Sequence, residues 1–108
     1  MAQIQERIKT LVTSKPFFIF MKGSPDFPQC GFSARAIEAL KRAGVKESDL
    51  GSFDVLEDEE VRQGVKTYTQ VPTIPQIFAK GEFIGTGDVI AEMLENGELS
   101  DVVKAVNA

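Results

Sequence analysis

The sequence predicts an α/β fold: a four-stranded mixed sheet with helices on both faces. Three observations carry this. The continuous apolar run Phe17-Phe18-Ile19-Phe20-Met21 has the composition of a parallel strand covered on both sides. Segments with helical spacing alternate with short strand-like segments through the first half of the chain. Later, two short segments flank Lys80-Gly81, as the arms of a hairpin would. The order α-β-α-β-α-β-β-α-α makes the first two strands parallel, with a right-handed crossover between them.

Each element has its own signal. Ile4, Ile8, Leu11 and Val12 repeat at i, i+4, i+7 and i+8, which predicts a helix over 3–14 that Pro16 ends. Strand 17–21 follows, then a loop over 23–29 rich in glycine, serine and proline. Residues 31–43 put Ala36, Ile37, Leu40 and Ala43 on one helical face, with Gly44 suited to the cap. A short strand is expected over 50–56 and a helix over 58–69 with Val61, Val65 and Tyr68 inward. Strands 76–79 and 82–85 form the hairpin, and helices 88–96 and 98–107 close the chain around Gly97. The stretch 46–52 carries no clear signal. One domain over 1–108 is expected, without repeats or linkers.

Composition narrows the chemistry. With 43% hydrophobic residues the chain can build a core, and it has no run of about 18 apolar residues that would span a membrane. The net charge of −4, without a Lys/Arg cluster, argues against nucleic-acid binding. The N-terminus lacks the basic and apolar regions of a secretory signal. A single cysteine rules out an intrachain disulfide and suits a reducing compartment. The absence of histidine removes Cys-His catalysis, Ser-His-Asp triads and His-ligated zinc together.

Three places can carry chemistry. Cys30 follows a strand and a loop and opens a helix, where partial positive charge favours the thiolate; the alternative is a small buried hydrophobe. Lys22, on the same loop, either favours that thiolate or holds a ligand carboxylate, or is a solvated surface charge. Ser33 stands at the fourth position of a C-x-x-C frame, where a dithiol enzyme keeps its resolving thiol; here it is expected to satisfy backbone groups of the first turn. Second, Val71-Pro72-Thr73-Ile74-Pro75-Gln76 sets two prolines before a strand. A cis bond before Pro75 would leave the Ile74 N–H and C=O free to pair with a peptide-like ligand, whereas a trans bond is the ordinary expectation from composition. Third, Gly85-Thr86-Gly87-Asp88 opens a helix whose N–H groups suit a carboxylate, with Asp88 either receiving an ammonium or acting as an N-cap.

Together these pieces resemble the monothiol glutaredoxins of the Cys-Gly-Phe-Ser class. The matching segments are Met21-Lys22-Gly23-Ser24-Pro25, Gln29-Cys30-Gly31-Phe32-Ser33, Val61-Arg62-Gln63-Gly64, Pro72-Thr73-Ile74-Pro75-Gln76 and Gly81-Glu82-Phe83-Ile84-Gly85, followed by Asp88. The resemblance implies a thioredoxin fold, a cis bond before Pro75, glutathione as ligand and a [2Fe-2S] cluster shared by two protomers. It implies a role in cluster assembly and transfer or iron homeostasis, with BolA-family proteins and cluster-accepting apoproteins as partners. By the same resemblance Cys30 is the iron ligand and catalytic thiol, and Lys22, Phe32, Arg62, Ile74, Gly87 and Asp88 bind glutathione. Lys22 and Arg62 take the glycyl carboxylate, Ile74 the tripeptide backbone, and Gly87 and Asp88 the γ-glutamyl end. A [2Fe-2S] cluster wants four thiolates; two copies of Cys30 and two glutathiones supply them.

The chain departs from the family pattern at two points. Val71 stands where Trp is usual, and Thr86 and Gly87 replace the second and third residues of Gly-Gly-Cys/Ala-Asp. A β-branched Thr86 is expected to restrict the backbone or crowd the glutamyl end. Two further functions compete with cluster carriage: a glutathione-dependent monothiol oxidoreductase that deglutathionylates proteins, with at most weak turnover, and a partner-binding adaptor without a cluster. The compartment implied is the cytoplasm, or a mitochondrial or plastid matrix if a transit peptide was removed.

Overall fold

Alternation along β1 (Phe17–Met21) builds the molecule around one strand. In the computed structural model, which describes residues 2–108, all five β1 side chains are buried. Phe17, Ile19 and Met21 enter one core, and Phe18 and Phe20 the other. The period-two geometry of a strand makes this split, which is why a continuous apolar run was needed. The first core is closed by α2 (Gly31–Arg42), α4 (Gly87–Asn96) and α5 (Glu98–Asn107), through Leu40, Ile90, Leu99 and Val103. The second is closed by α1 (Ala2–Val12) and α3 (Glu59–Thr69), through Ile8, Val12, Val61 and Val65. Each large side chain so buried contributes about 1.5–3 kcal/mol relative to exposure. Phe20 adds an edge-on contact to Phe78, with ring centroids 5.7 Å apart.

The sheet runs β2-β1-β3-β4, with β2 Leu50–Asp54, β3 Gln76–Ala79 and β4 Glu82–Thr86. β1 pairs parallel with β2 and antiparallel with β3, and β3 pairs antiparallel with β4, which is the mixed sheet expected. Lys80 and Gly81 both have positive φ (50° and 82°), the signature of a tight hairpin turn that matches strand twist.

Two boundaries fall two residues short of expectation, and the others agree to within one residue. The first helix ends at Val12, because the Thr13 and Ser14 hydroxyls turn back onto the carbonyls of the last turn. The second strand ends at Asp54, two residues early, because its carboxylate accepts from the N–H groups of Gly23 (3.0 Å) and Leu56 (2.9 Å) and turns the chain. The unread stretch 46–52 holds a single 3₁₀ turn, Glu47–Asp49, leading into β2.

Candidate functional site around Cys30

The loop after β1 presents the thiol. Lys22 C=O accepts from Gln29 N–H (2.8 Å), and Ser24 and Phe27 exchange backbone hydrogen bonds, so the loop folds on itself. Gly23 sits inside this fold at φ 89°, and a Cβ there would collide with the Phe27 carbonyl. Glycine is therefore required by both conformation and space. The chain then enters α2 with Cys30 as N-cap, half-buried, its Sγ accepting from Ser33 N–H at 3.3 Å.

Ser33 is fully buried and does more than cap the first turn. Its hydroxyl accepts from the Lys22 backbone N–H (3.2 Å) and lies 3.3 Å from Cys30 Sγ. With the thiol ionised, that O–H donates to sulfur, polarised by the amide behind it. Burial pushes the Cys30 thiol up, yet the Ser33 hydroxyl, the backbone N–H groups of Ser33 and Phe32 and the charge of Lys22 outweigh it. The net effect holds the thiol below its ordinary value. Sequence reasoning expected a backbone role for Ser33, because nothing in the linear order shows that Lys22 N–H returns to it.

Phe32, two residues beyond the thiol in the first turn of α2, lines a cleft of about 80 Å³ together with Thr73, Ile74, Pro75, Thr86, Gly87 and Asp88. Phe32 is half-exposed, with the Arg35 guanidinium 5.0 Å from its ring centroid. The Ile74–Pro75 bond is cis. The Ile74 side chain is buried in the α1/α3 core, while neither its N–H nor its C=O makes a backbone hydrogen bond among the described residues. Gly87 is a point of close approach between α4, the first turn of α2 and the proline loop. A Cβ there would come within 3.2 Å of both Phe32 O and Pro75 Cγ, so glycine lets the N-termini of α2 and α4 meet the proline loop. Thr86 sits at φ −90° and ψ 179°, ordinary extended backbone, so a β-branched residue is accommodated there without strain.

The structure thus joins Cys30 to Lys22 through Ser33, and gathers Phe32, Ile74, Gly87 and Asp88 in one cleft. Arg62 lies on α3, outside the residues lining that cleft. Its Nε is buried without a hydrogen-bond partner, an orphan donor of the kind an incoming carboxylate satisfies. Three positions escaped the sequence reading: Asp54, which ties the thiol loop to the β2–α3 connection, and Thr69 with Gln76, which bracket the proline loop. Size alone would misplace the site. A hollow of about 430 Å³ lined by Thr13–Pro16, Lys80 and Val106 lies at the start of β1, the opposite end of the strand from Cys30. Among the described residues no cluster of three or more His, Cys, Asp or Glu side chains suits a metal ion, and no helix is long and apolar enough to cross a membrane.

A thiol capping the first turn of α2, a cis-proline loop leading into β3 and a β2-β1-β3-β4 sheet together define a thiol protein of thioredoxin fold. A family model described as Glutaredoxin matches residues 17–84. The chain is 42% identical over 106 residues to monothiol glutaredoxin-5, mitochondrial, of Saccharomyces cerevisiae, covering 98% of this chain and 71% of the yeast protein. It is 49% identical over 100 residues to a monothiol glutaredoxin of Oryza sativa subsp. japonica, covering 93% of this chain and 20% of the rice protein. It therefore spans only a minor part of that longer relative. Among solved structures, a monomeric truncated mutant of Trypanosoma brucei 1-C-Grx1 superposes with a TM-score of 0.80 at 38% identity, covering 94% of this chain and 89% of the other. Reduced poplar apo GrxS14 gives 0.80 at 39% identity, covering 95% and 92%. The chain belongs to the glutaredoxin family, among its monothiol members.

Proposed function

We propose that this chain binds glutathione beside Cys30 and carries a [2Fe-2S] cluster as cargo between two protomers, serving cluster assembly and transfer or iron homeostasis. The observation that carries the reading is the single half-exposed, thiolate-favouring Cys30 next to a cleft with peptide-binding features. In that cleft the free N–H and C=O of Ile74 suit pairing with the tripeptide backbone. The N-terminus of α4 at Gly87 suits the γ-glutamyl carboxylate, and Asp88 its ammonium. Lys22 and the orphan donor of Arg62 suit the glycyl carboxylate. Phe32 and Pro75 wall the middle. A solved buckwheat glutaredoxin–glutathione complex shares the fold at 20% identity.

The donor set fits the cargo only by assembly. One chain offers one sulfur, so four thiolates require two copies of Cys30 and two glutathiones. When bound, the cluster supplies electron-transfer or transfer chemistry; the chain's part is to present Cys30 Sγ ionised, to hold glutathione beside it and to leave Phe32 and the thiol exposed for a second protomer or an acceptor. A BolA-family protein or a cluster-accepting apoprotein would meet this same face. A reducing compartment suits the lone thiol, either cytoplasm or an organelle matrix.

The lowered thiol also favours a second reading, deglutathionylation. The Cys30 thiolate would attack the glutathione sulfur of a protein–glutathione disulfide. The protein thiolate leaves and takes a proton, and Cys30 becomes glutathionylated. A second glutathione thiolate then releases Cys30 and forms glutathione disulfide. Ser33 has no sulfur to resolve the intermediate, so glutathione must.

Anaerobic reconstitution with iron, sulfide and glutathione, read by visible absorption and by mass in solution, separates the readings. A coloured dimer is expected in wild type, and a colourless chain both in Cys30→Ser and without glutathione. A stable cluster formed without added thiol overturns the four-thiolate assembly. A colourless wild type with robust Cys30-dependent turnover of a glutathionylated protein puts the second reading first.

A further inference from the structure

We propose that Thr69 and Gln76 act as one positioning unit that fixes the backbone of residues 71–75 for its tripeptide ligand; this rests on the glutathione reading above. Thr69 is the last residue of α3 and Gln76 the first of β3, so the pair brackets the whole loop. The Thr69 hydroxyl lies 2.9 Å from Gln76 Oε1, across seven positions of sequence, and 3.1 Å from Val65 C=O, and its one proton is shared between these two acceptors. Gln76 Nε2 donates to Val71 C=O at 2.8 Å, and Val71 N–H donates to Thr69 Oγ1 at 3.2 Å. Both backbone groups of Val71 are thereby held by two side chains that also hold each other. The ring fixes the amide orientation of Gln76, since the reversed amide would set oxygen against the Val71 carbonyl.

Core packing does not explain this arrangement. Gln76 is fully buried on the sheet face it shares with Phe78, where a hydrocarbon side chain would pack without needing partners. Its side-chain hydrogen bonds run into the proline loop and to the residue that begins it. In the sheet its backbone lies between Phe20 and Thr86, and it directly follows Pro75; Thr86 and Pro75 both line the cleft. Between its ends, Ile74 makes no backbone hydrogen bond among the described residues. The loop therefore takes its shape from its anchors, and a ligand that pairs with Ile74 meets a backbone already held in place. The lock also grips position 71 by its main chain alone, so Val71 serves where the family usually has Trp.

The test is calorimetric titration with reduced glutathione, alongside thermal unfolding of each variant. Gln76→Met and Thr69→Val keep volume and remove hydrogen bonds; each is expected to weaken glutathione binding about tenfold. Thr69→Ser, which keeps the hydroxyl, is expected to stay within about twofold of wild type, and the double variant to bind no worse than the weaker single, since both remove one unit. Val103→Ala, a core change on α5 away from the cleft, is expected to lower the unfolding temperature and leave affinity unchanged. Wild-type affinity in folded Thr69→Val or Gln76→Met overturns the proposal, as does an equal affinity loss in Val103→Ala. If Gln76→Met does not fold, Thr69→Val and its serine rescue decide. A wild type that does not bind glutathione overturns the underlying reading; a wild type that binds beside indifferent variants overturns only the lock.

Discussion

At the scale of single residues, the chemistry turns on a hydroxyl. Ser33 receives the Lys22 amide proton and can turn its own proton to sulfur. Ser33→Ala deletes the strongest of the groups that favour the thiolate, so the Cys30 thiol should rise toward its ordinary value. The measurement is the pH profile of alkylation by iodoacetamide: its midpoint moves up, and reactivity at pH 7 falls. An unmoved midpoint would return the credit to the helix terminus. Thr86 shows the limit of reading residues in isolation. A β-branched side chain in place of glycine looked restrictive, yet its backbone occupies ordinary extended space. Thr86→Gly should therefore leave glutathione binding unchanged or slightly weaker, and a clear gain in affinity by titration would restore the crowding argument.

Elements meet at two places where one side chain decides the fit. Gly87 is the first, since α4 touches Phe32 O and the Pro75 ring across it. Gly87→Val would part these elements, at a cost of about 1–3 kcal/mol from overpacking. Glutathione affinity should fall with it, read by the same titration, and a variant that binds normally would show that the cleft tolerates the displacement. The second place is Asp58, N-cap of α3. It accepts from Val61 N–H (3.1 Å) and pairs with Arg7 of α1 at 3.0 Å. The Val61 amide first, then Arg7, hold this carboxyl below its usual value of 3.8. The unfolded chain thus takes up the proton at higher pH than the folded one. The stabilisation is complete above the ordinary carboxylate value and is lost as pH falls through the lowered one. Thermal unfolding followed from pH 6 down to pH 2 should show wild type losing its advantage over Asp58→Ala at the acid end; a constant gap across that range would contradict this account.

For the whole molecule, periodicity made the architecture legible. The apolar run 17–21 implied a strand covered on both faces, and the two cores divide along it as alternation requires. The hairpin turn at Gly81 and the helix break at Gly97 announced themselves through glycine, which adopts positive φ freely. The cleft was legible only as fragments, because its walls come from α2, the proline loop and α4, and their meeting depends on Gly87 having no side chain. Asp54, Thr69 and Gln76 gave no signal, since a polar residue at an element boundary reads as a cap or a surface group until its distant partner is known. Ile74 binds these levels together. Its side chain belongs to the buried cluster that includes Phe20, Phe78 and Val65, and the same residue lines the cleft. A ¹³C-labelled methyl on Ile74 would therefore act as an internal gauge. Ring currents from the neighbouring phenylalanines would register small shifts of that peptide unit, so its NMR frequency would report cleft occupancy from inside the protein without any probe touching the ligand.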